Sequence, residues 1–172
     1  MLMSIEESDR LGALKGLDLL DTTPEEPFDS LVGLVADTFS ASICAISLID
    51  SDRQWFKASF GLEACETPRD VAFCDHTIRT DDVLVVADAR EDSRFSTNPL
   101  VTSKPFIRFY AGAGIHFEGR AIGALCIADQ SPRPDFSSRD ERRLRGFANL
   151  ASQLIEIRKS GWPQPLHYQY ID

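Results

Sequence analysis

The sequence predicts an α+β domain in which helices from the two ends of the chain cover one face of an antiparallel sheet. Three observations carry this. Amphipathic patterns at helical spacing lie near both ends of the chain. Between them stand two pairs of β-prone runs, each pair joined by a short polar turn. A long, mostly polar stretch from 62 to 104 separates the pairs and should cover the other face.

Each element has a local reason. Ser4-Ile5-Glu6-Glu7 has the spacing of a capping box and predicts a helix over about 5–20, with Leu11, Leu14 and Leu17 three apart. Gly12 and Gly16 weaken it, so it needs a partner surface. Thr23-Pro24-Glu25-Glu26 predicts a second start, with Thr23 as cap, Pro24 in the first turn and Glu26 completing the box. Phe28, Leu31, Val32, Val35 and Phe39 then share one face. A strand is predicted from Ile43 to Asp50, with Cys44, Ile46 and Leu48 buried in alternation. A second follows from Gln54 to Phe60. Residues 62–70 read as loop, Val71–Ile78 as a short helix, Val83–Ala87 as a short strand, and 88–104 as a loop with one helical turn.

The central hairpin is predicted from Ile107–Phe117 and Ala121–Ala128, across Glu118-Gly119-Arg120. Its run of small residues, Ala111 to Gly114, signals close approach of another group. The hairpin glycines therefore read as the floor of a pocket. Ser138-Arg139-Asp140-Glu141 predicts a capping box opening a helix to about Lys159. Its apolar face holds Leu144, Phe147, Ala148, Ala151, Leu154 and Ile155, with Leu150 and Ile157 outside it. Residues 160–172 show no periodicity and are expected to form a flexible tail.

Composition bounds the function. The chain has 172 residues, 43% of them hydrophobic, which suits one domain with a sizeable core. Its formal charge of −9 argues against nucleic acid or an anionic membrane as partner, because phosphate binding needs clustered Lys and Arg. The N-terminus is too polar for a secretory signal, and no apolar run approaches the ~20 residues that span a bilayer. The four cysteines, Cys44, Cys65, Cys74 and Cys126, are expected as reduced thiols in a cytoplasmic protein.

Five motifs occur in order: DRQWFKASFGL (52–62), ETPRDVAFCDHTI (66–78), LVVADAREDSRFSTNPLV (84–101), IRFYAGAGI (107–115) and G-x-x-I-G-A-L-C-I-A-D (119–129). Together they resemble a GAF domain, of the kind found in bacterial sensor histidine kinases and diguanylate cyclases, over residues 5–159. The resemblance implies a GAF/PAS-like antiparallel sheet of five to six strands, ordered 2-1-5-4-3 when the five predicted strands are counted. It implies a pocket between the sheet and the connection after the second strand. It implies bacterial signal transduction by sensing a small molecule, without catalysis, with output through the terminal helices and a homodimer.

The residues expected around a ligand are Phe73, Cys74, His76, Arg94, Phe95, Asn98, Arg108 and Tyr110. Arginine suits a carboxylate or phosphate because its fork bonds in two places. The competing account is structural: Asp88 and Asp92 pair with Arg90, Arg94 or Arg108 to hold the loop down. Cys74 and His76 give only two of the roughly four ligands that zinc wants, so no metal is expected. Asp75 separates Cys74 from His76, unlike the Cys-His pair of bilin-attaching relatives. Cys65 and Cys74 lie nine residues apart and loosely resemble the cysteines of GAF-type free methionine sulfoxide reductases, which keeps a redox enzyme as the alternative. A structural dimerisation module without ligand is the third reading. Phe136 to Glu141 matches half of a cyclic-nucleotide motif, but reads as a helix start. For the dimer, Leu11, Leu14, Leu144, Phe147, Ala151 and Leu154 are expected at the interface. The sequence assigns no cofactor. The expected partners are an unidentified small molecule, a second copy of the chain and a signalling protein.

Overall fold

The computed structural model describes residues 4–163. Its elements are α1 (Ile5–Lys15), α2 (Glu26–Phe39), β1 (Ile43–Ile49), β2 (Arg53–Phe60), β3 (Glu66–Pro68), α3 (Phe73–Thr77), β4 (Leu84–Val86), α4 (Pro99–Thr102), β5 (Phe109–Phe117), β6 (Arg120–Asp129) and α5 (Ser138–Ser160). One six-stranded sheet runs β3-β2-β1-β6-β5-β4, and every neighbouring pair is antiparallel. The five strands expected from sequence keep their expected neighbours. The sixth, β3, is a three-residue edge strand inside a segment expected as loop, and it shifts the numbering.

Both faces of the sheet centre are covered. All seven residues of β1 are buried. Cys44, Ile46 and Leu48 join the core under α2 and α5, with Phe28, Val35, Leu125 and Leu144. Ile43, Ala45 and Ile49 face the opposite core, with Phe73, Phe95, Val101, Ile107 and Tyr110. The expected alternation holds on the helix side, and the loop-side segment buries the other set as well. The β5–β6 hairpin turns through Glu118 and Gly119, both at positive φ, as in a two-residue primed turn. Arg120, expected in the connection, already belongs to β6.

Three capping boxes were predicted at helix starts, and the structure keeps one of them in place. Ser4 caps α1 as expected, accepting the Glu7 amide at 3.2 Å. The Thr23–Glu26 box does not form: α2 begins at Glu26, and no side chain caps it. The Thr23 carbonyl instead accepts Lys57 Nζ at 2.8 Å, which holds the segment outside the helix, and Pro27 rather than Pro24 occupies the first turn. The last helix is capped one residue earlier than expected, by Ser137 and Asp140 in a reciprocal box. α1 ends at Lys15, five residues short of expectation, although Leu17 and Leu19 beyond it are still buried. Its partner surface is β6 and the end of β1, where buried Arg10 donates to the Ile49 carbonyl at 2.7 Å. Glu7 joins Arg10 to Arg69, and Arg69 pairs with Asp75 at the start of α3.

Four of the six expected dimer residues are corrected by burial. Leu11, Leu14, Leu144 and Ala151 lie in the chain's own core, and Phe147 and Leu154 pack against it. The first four are spent on the sheet and are not open to a partner, whereas Phe147 and Leu154 are only half-buried and keep an outward edge. The large apolar side chains that α2 and α5 expose are Leu34, Leu150 and Ile157. The expected tail is corrected in part. Trp162 packs edge-on against Phe28 and donates from Nε1 to Glu25 at 2.8 Å. The remaining tail positions, 164–172, lie outside the described residues.

A bulge in β2 makes the most consequential side-chain placement. Ile46 pairs with Ala58 and Ser47 with Phe56, so Lys57 is the extra residue. Its side chain is fully buried and points to the helix side, where Nζ meets Glu25 at 2.6 Å and Thr22 Oγ1 at 2.9 Å. Glu25 also receives Arg158 Nε, from the last turns of α5, at 2.7 Å. Lys159 donates to the Gly16 carbonyl after α1. One carboxylate thus ties the sheet to α2, α5 and Trp162.

Removing the Glu25 carboxylate leaves Lys57 buried and unpaired, with only neutral acceptors. The Glu25→Ala variant is expected to lose about 3 kcal/mol in urea unfolding, the low end for breaking a buried ion pair. A pH dependence follows too. Burial works against the Glu25 charge, but hydrogen bonds from Lys57, Trp162 and Arg158 outweigh it and hold its pKa at about 2, against an ordinary 4.5. Glu7 is likewise held at about 2, chiefly by its hydrogen bond from Arg10. Both folded values are depressed, so the stabilisation is present above the unfolded value and is lost as pH falls through the folded one. Stability measured between pH 5 and pH 2 should drop progressively, and the drop should be shallower in Glu25→Gln.

Candidate functional site

On the loop-side face, a partly enclosed cavity of about 220 Å3 lies between the sheet and the chain that follows β2. Its sheet wall is Ile43 of β1, Phe56 of β2, and Cys126 and Ala128 of β6. Its inner end is Phe73, Cys74 and Tyr110. Its outer wall is Leu62, Ala64, Leu100, Pro105 and Ile107. Gln54 and Thr67 form one side, and exposed Lys104 stands at the rim. The wall is mostly apolar with a few convergent polar atoms, the usual make-up of a small-molecule site.

The inner end is built on aromatic packing. Phe73 stacks on Phe95 with ring centroids 4.1 Å apart and planes 8° from parallel, and it tilts against Tyr110 at 5.0 Å. The stacked pair is worth about 1 kcal/mol beyond the area it buries. The Tyr110 hydroxyl is 2.6 Å from Thr77 Oγ1 and donates to Cys74 Sγ at 3.2 Å. The ring lies back along β5 over Gly112, where a Cβ would come within 2.2 Å of the hydroxyl. The hairpin glycines are therefore not the pocket floor. Tyr110 covers Gly112, and the His116 ring lies against Gly114. The floor sits across the sheet, on β1, β2 and β6.

Of the eight expected ligand residues, Phe73, Cys74 and Tyr110 meet at the cavity. Phe95 is fully buried behind Phe73, and His76 packs edge-on against Phe95 at 4.8 Å. Arg94 pairs with Asp92 at 2.6 Å on the surface, and Arg90 pairs with Asp88 in the same way. Asn98 caps α4 and donates to the Val71 carbonyl at 3.0 Å. Arg108 donates to the carbonyls of Val101 and Ile107. Asn98 and Arg108 thus tie the long connection together through backbone carbonyls, whereas the two arginine–aspartate pairs join residues two apart on the surface. The lining residues that sequence reasoning missed are chiefly Gln54, Phe56, Leu62, Leu100 and Ile107. The signal for Gln54 and Phe56 was present, since alternate residues of a strand share a face.

Electrostatics separate the thiols. Burial pushes Cys44 up to about 12. Cys126 is raised well above the ordinary range by its hydrogen bond to Cys74 and by burial, and Tyr110 is raised by burial. At Cys74 burial opposes ionisation, but donors from Cys126, Ser47 and Tyr110 outweigh it and lower the thiol. Cys65 is exposed and lines a cleft of about 600 Å3 with Asp21, Lys57 and Glu63, which adjoins the cavity across Phe56, Leu62 and Ala64. Cys65 and Cys74 thus line opposite sides of a shared wall, one exposed and one buried. Among the described residues, no group of three His, Cys, Asp or Glu side chains could hold a metal ion, and no helix is long and apolar enough to cross a membrane.

Three comparisons bear on this geometry. A family model described as GAF domain matches residues 23–155. A cyclic di-GMP phosphodiesterase of Pseudomonas aeruginosa is 39% identical over 156 residues, which is 90% of this chain but only 27% of the relative's length. Among solved structures, the GAF domain of an Acinetobacter phosphoenolpyruvate-protein phosphotransferase superposes with a TM-score of 0.67 at 20% identity, over 94% of this chain and 99% of that one. A free methionine-R-sulfoxide reductase of Neisseria meningitidis superposes at 0.65 with 16% identity, over 93% and 96%. At such identities the superpositions speak for the fold alone. The matched residues, the sheet order and the two-sided covering agree, and the chain belongs to the GAF domain family.

Proposed function

We propose that the chain is a non-catalytic sensory module of bacterial signal transduction, in which a small molecule in the 220 Å3 cavity shifts the packing of the terminal helices. The observation that carries this is the division of labour along β2. Phe56 lines the cavity, and the next residue, Lys57, holds the Glu25 clasp on the opposite face. A ligand that presses on Phe56 acts on the strand segment that holds α2 and α5. The similarity to a P. aeruginosa cyclic di-GMP phosphodiesterase supports a signalling role. We take a signalling enzyme or another signalling protein as the partner that reads the helices, in the cytoplasm. The separation of Cys65 from Cys74 supports this reading over a reductase.

The output surface is the outward side of α5. Phe147, Leu150, Leu154 and Ile157 repeat at spacings of three and four, the pattern of a helix-pairing seam. Leu150 and Ile157 are 46% and 42% exposed, and Leu34 of α2 is 55% exposed. A second copy of the chain covers this face in our reading.

Two experiments test the proposal. Native mass spectrometry of protein purified from its source should report an added small-molecule mass, and Ala64→Trp at the exposed rim should remove it. A bare wild-type mass, with no thermal shift from any metabolite, contradicts ligand sensing. Sedimentation should give a dimer for the wild type and a monomer for Leu150→Glu combined with Ile157→Glu. Each substitution at these exposed positions should change stability by no more than about 0.5 kcal/mol. A wild-type monomer at high concentration contradicts the dimer.

A further inference from the structure

The cavity wall holds an acceptor that the fold leaves without a partner. Among the described residues, two buried side-chain oxygens make no hydrogen bond, Gln54 Oε1 and Asp129 Oδ2. Asp129 is met by the Arg133 guanidinium. Gln54 has no such partner. It is 5% exposed, and Nε2 donates to Thr67 Oγ1 at 3.0 Å, across the β2–β3 pair, which leaves Oε1 as the unpaired end of the amide. A buried acceptor left unpaired is destabilising, and a ligand that donates to it recovers that loss.

The rest of the wall restricts what can donate. Tyr110 is already engaged with Thr77 and Cys74. Lys104, the lining residue that carries a charge, is exposed at the rim. The interior offers no counter-charge, so an ion would be desolvated without compensation. Size sets the other limit. An apolar cavity of about 150 Å3 accepts benzene. The 220 Å3 here admits one ring with a short substituent.

We propose that the cavity takes an uncharged molecule of single-ring size bearing one O–H or N–H donor, and that Gln54 Oε1 is the acceptor that selects it. This rests on the reading of the cavity as the ligand site. The proposal assigns specificity to a residue of β2 itself, two positions before Phe56 and three before Lys57. The occupant therefore bonds to the strand that carries the clasp.

The test uses phenol and toluene, which match in size and differ in the donor, titrated calorimetrically into the full chain and into Gln54→Met. Both should bind the wild type. The affinity of phenol relative to toluene should fall about tenfold in the variant, the worth of one hydrogen bond to a buried acceptor. In the wild type, the Gln54 side-chain amide resonances should shift with phenol and stay in place with toluene, a readout that needs no substitution. Toluene binding with an unchanged phenol ratio and an unmoved Gln54 amide overturns the role of Gln54 while leaving the cavity as a ligand site. Failure of both probes to bind overturns the cavity reading as well.

Discussion

Burial of the central strands on both faces is the constraint on which the rest of this structure depends. β1 and β6 lie mid-sheet, and their side chains must pack against something on each side. The helix side meets this with α2 and α5, long regular elements that fill their layer. The loop side is covered by short pieces, α3, α4, β3, β4 and the chain between them. Such pieces carry backbone groups that regular structure does not satisfy, so side chains must tie them down. Asn98 and Arg108 do that by donating to the carbonyls of Val71 and Val101. A covering assembled this way does not fill its layer to the density of packed helices, and the gap it leaves is the cavity. The cavity follows from the asymmetry between the two coverings.

The bulge at Lys57 gives that asymmetry a mechanical consequence. A regular β2 would pair every residue with β1 and alternate its side chains without interruption. The extra residue lets Phe56 face the cavity while Lys57 and Ala58 both serve the helix side. Lys57 is buried and charged, so its contact with Glu25 cannot loosen without leaving an unpaired ion. Glu25 in turn holds Arg158 and Trp162 near the end of α5. In the proposed mechanism, a change at the cavity wall reaches the end of α5 through this contact, which has few compliant alternatives.

Much of this was legible in the sequence, for reasons that differ between elements. The strand hairpins and the long helices announce themselves by periodicity, which depends only on neighbours in sequence. Phe73, Cys74 and Tyr110 were found because they stand in motifs with an evident packing purpose. Gln54 and Phe56 were passed over because they lie in a strand that read as ordinary sheet. The face of Gln54 becomes meaningful only once the chain from 62 to 107 folds over it. The glycines misled for the same reason: an absent side chain looks like open space in the sequence, whereas in three dimensions Tyr110 fills the space over Gly112. Leu11, Leu14, Leu144 and Ala151 were misassigned to a dimer because an apolar helix face does not say whether it meets its own sheet or a second copy.

The central claim is that cavity and clasp are coupled, and backbone amide hydrogen exchange across α5 with phenol filling the cavity tests it most directly. The account predicts altered protection in the last turns of α5, around Ile155–Lys159, as well as in the cavity wall from Leu62 to Ile107. Altered protection confined to that wall, with the end of α5 unchanged at full occupancy, would contradict it.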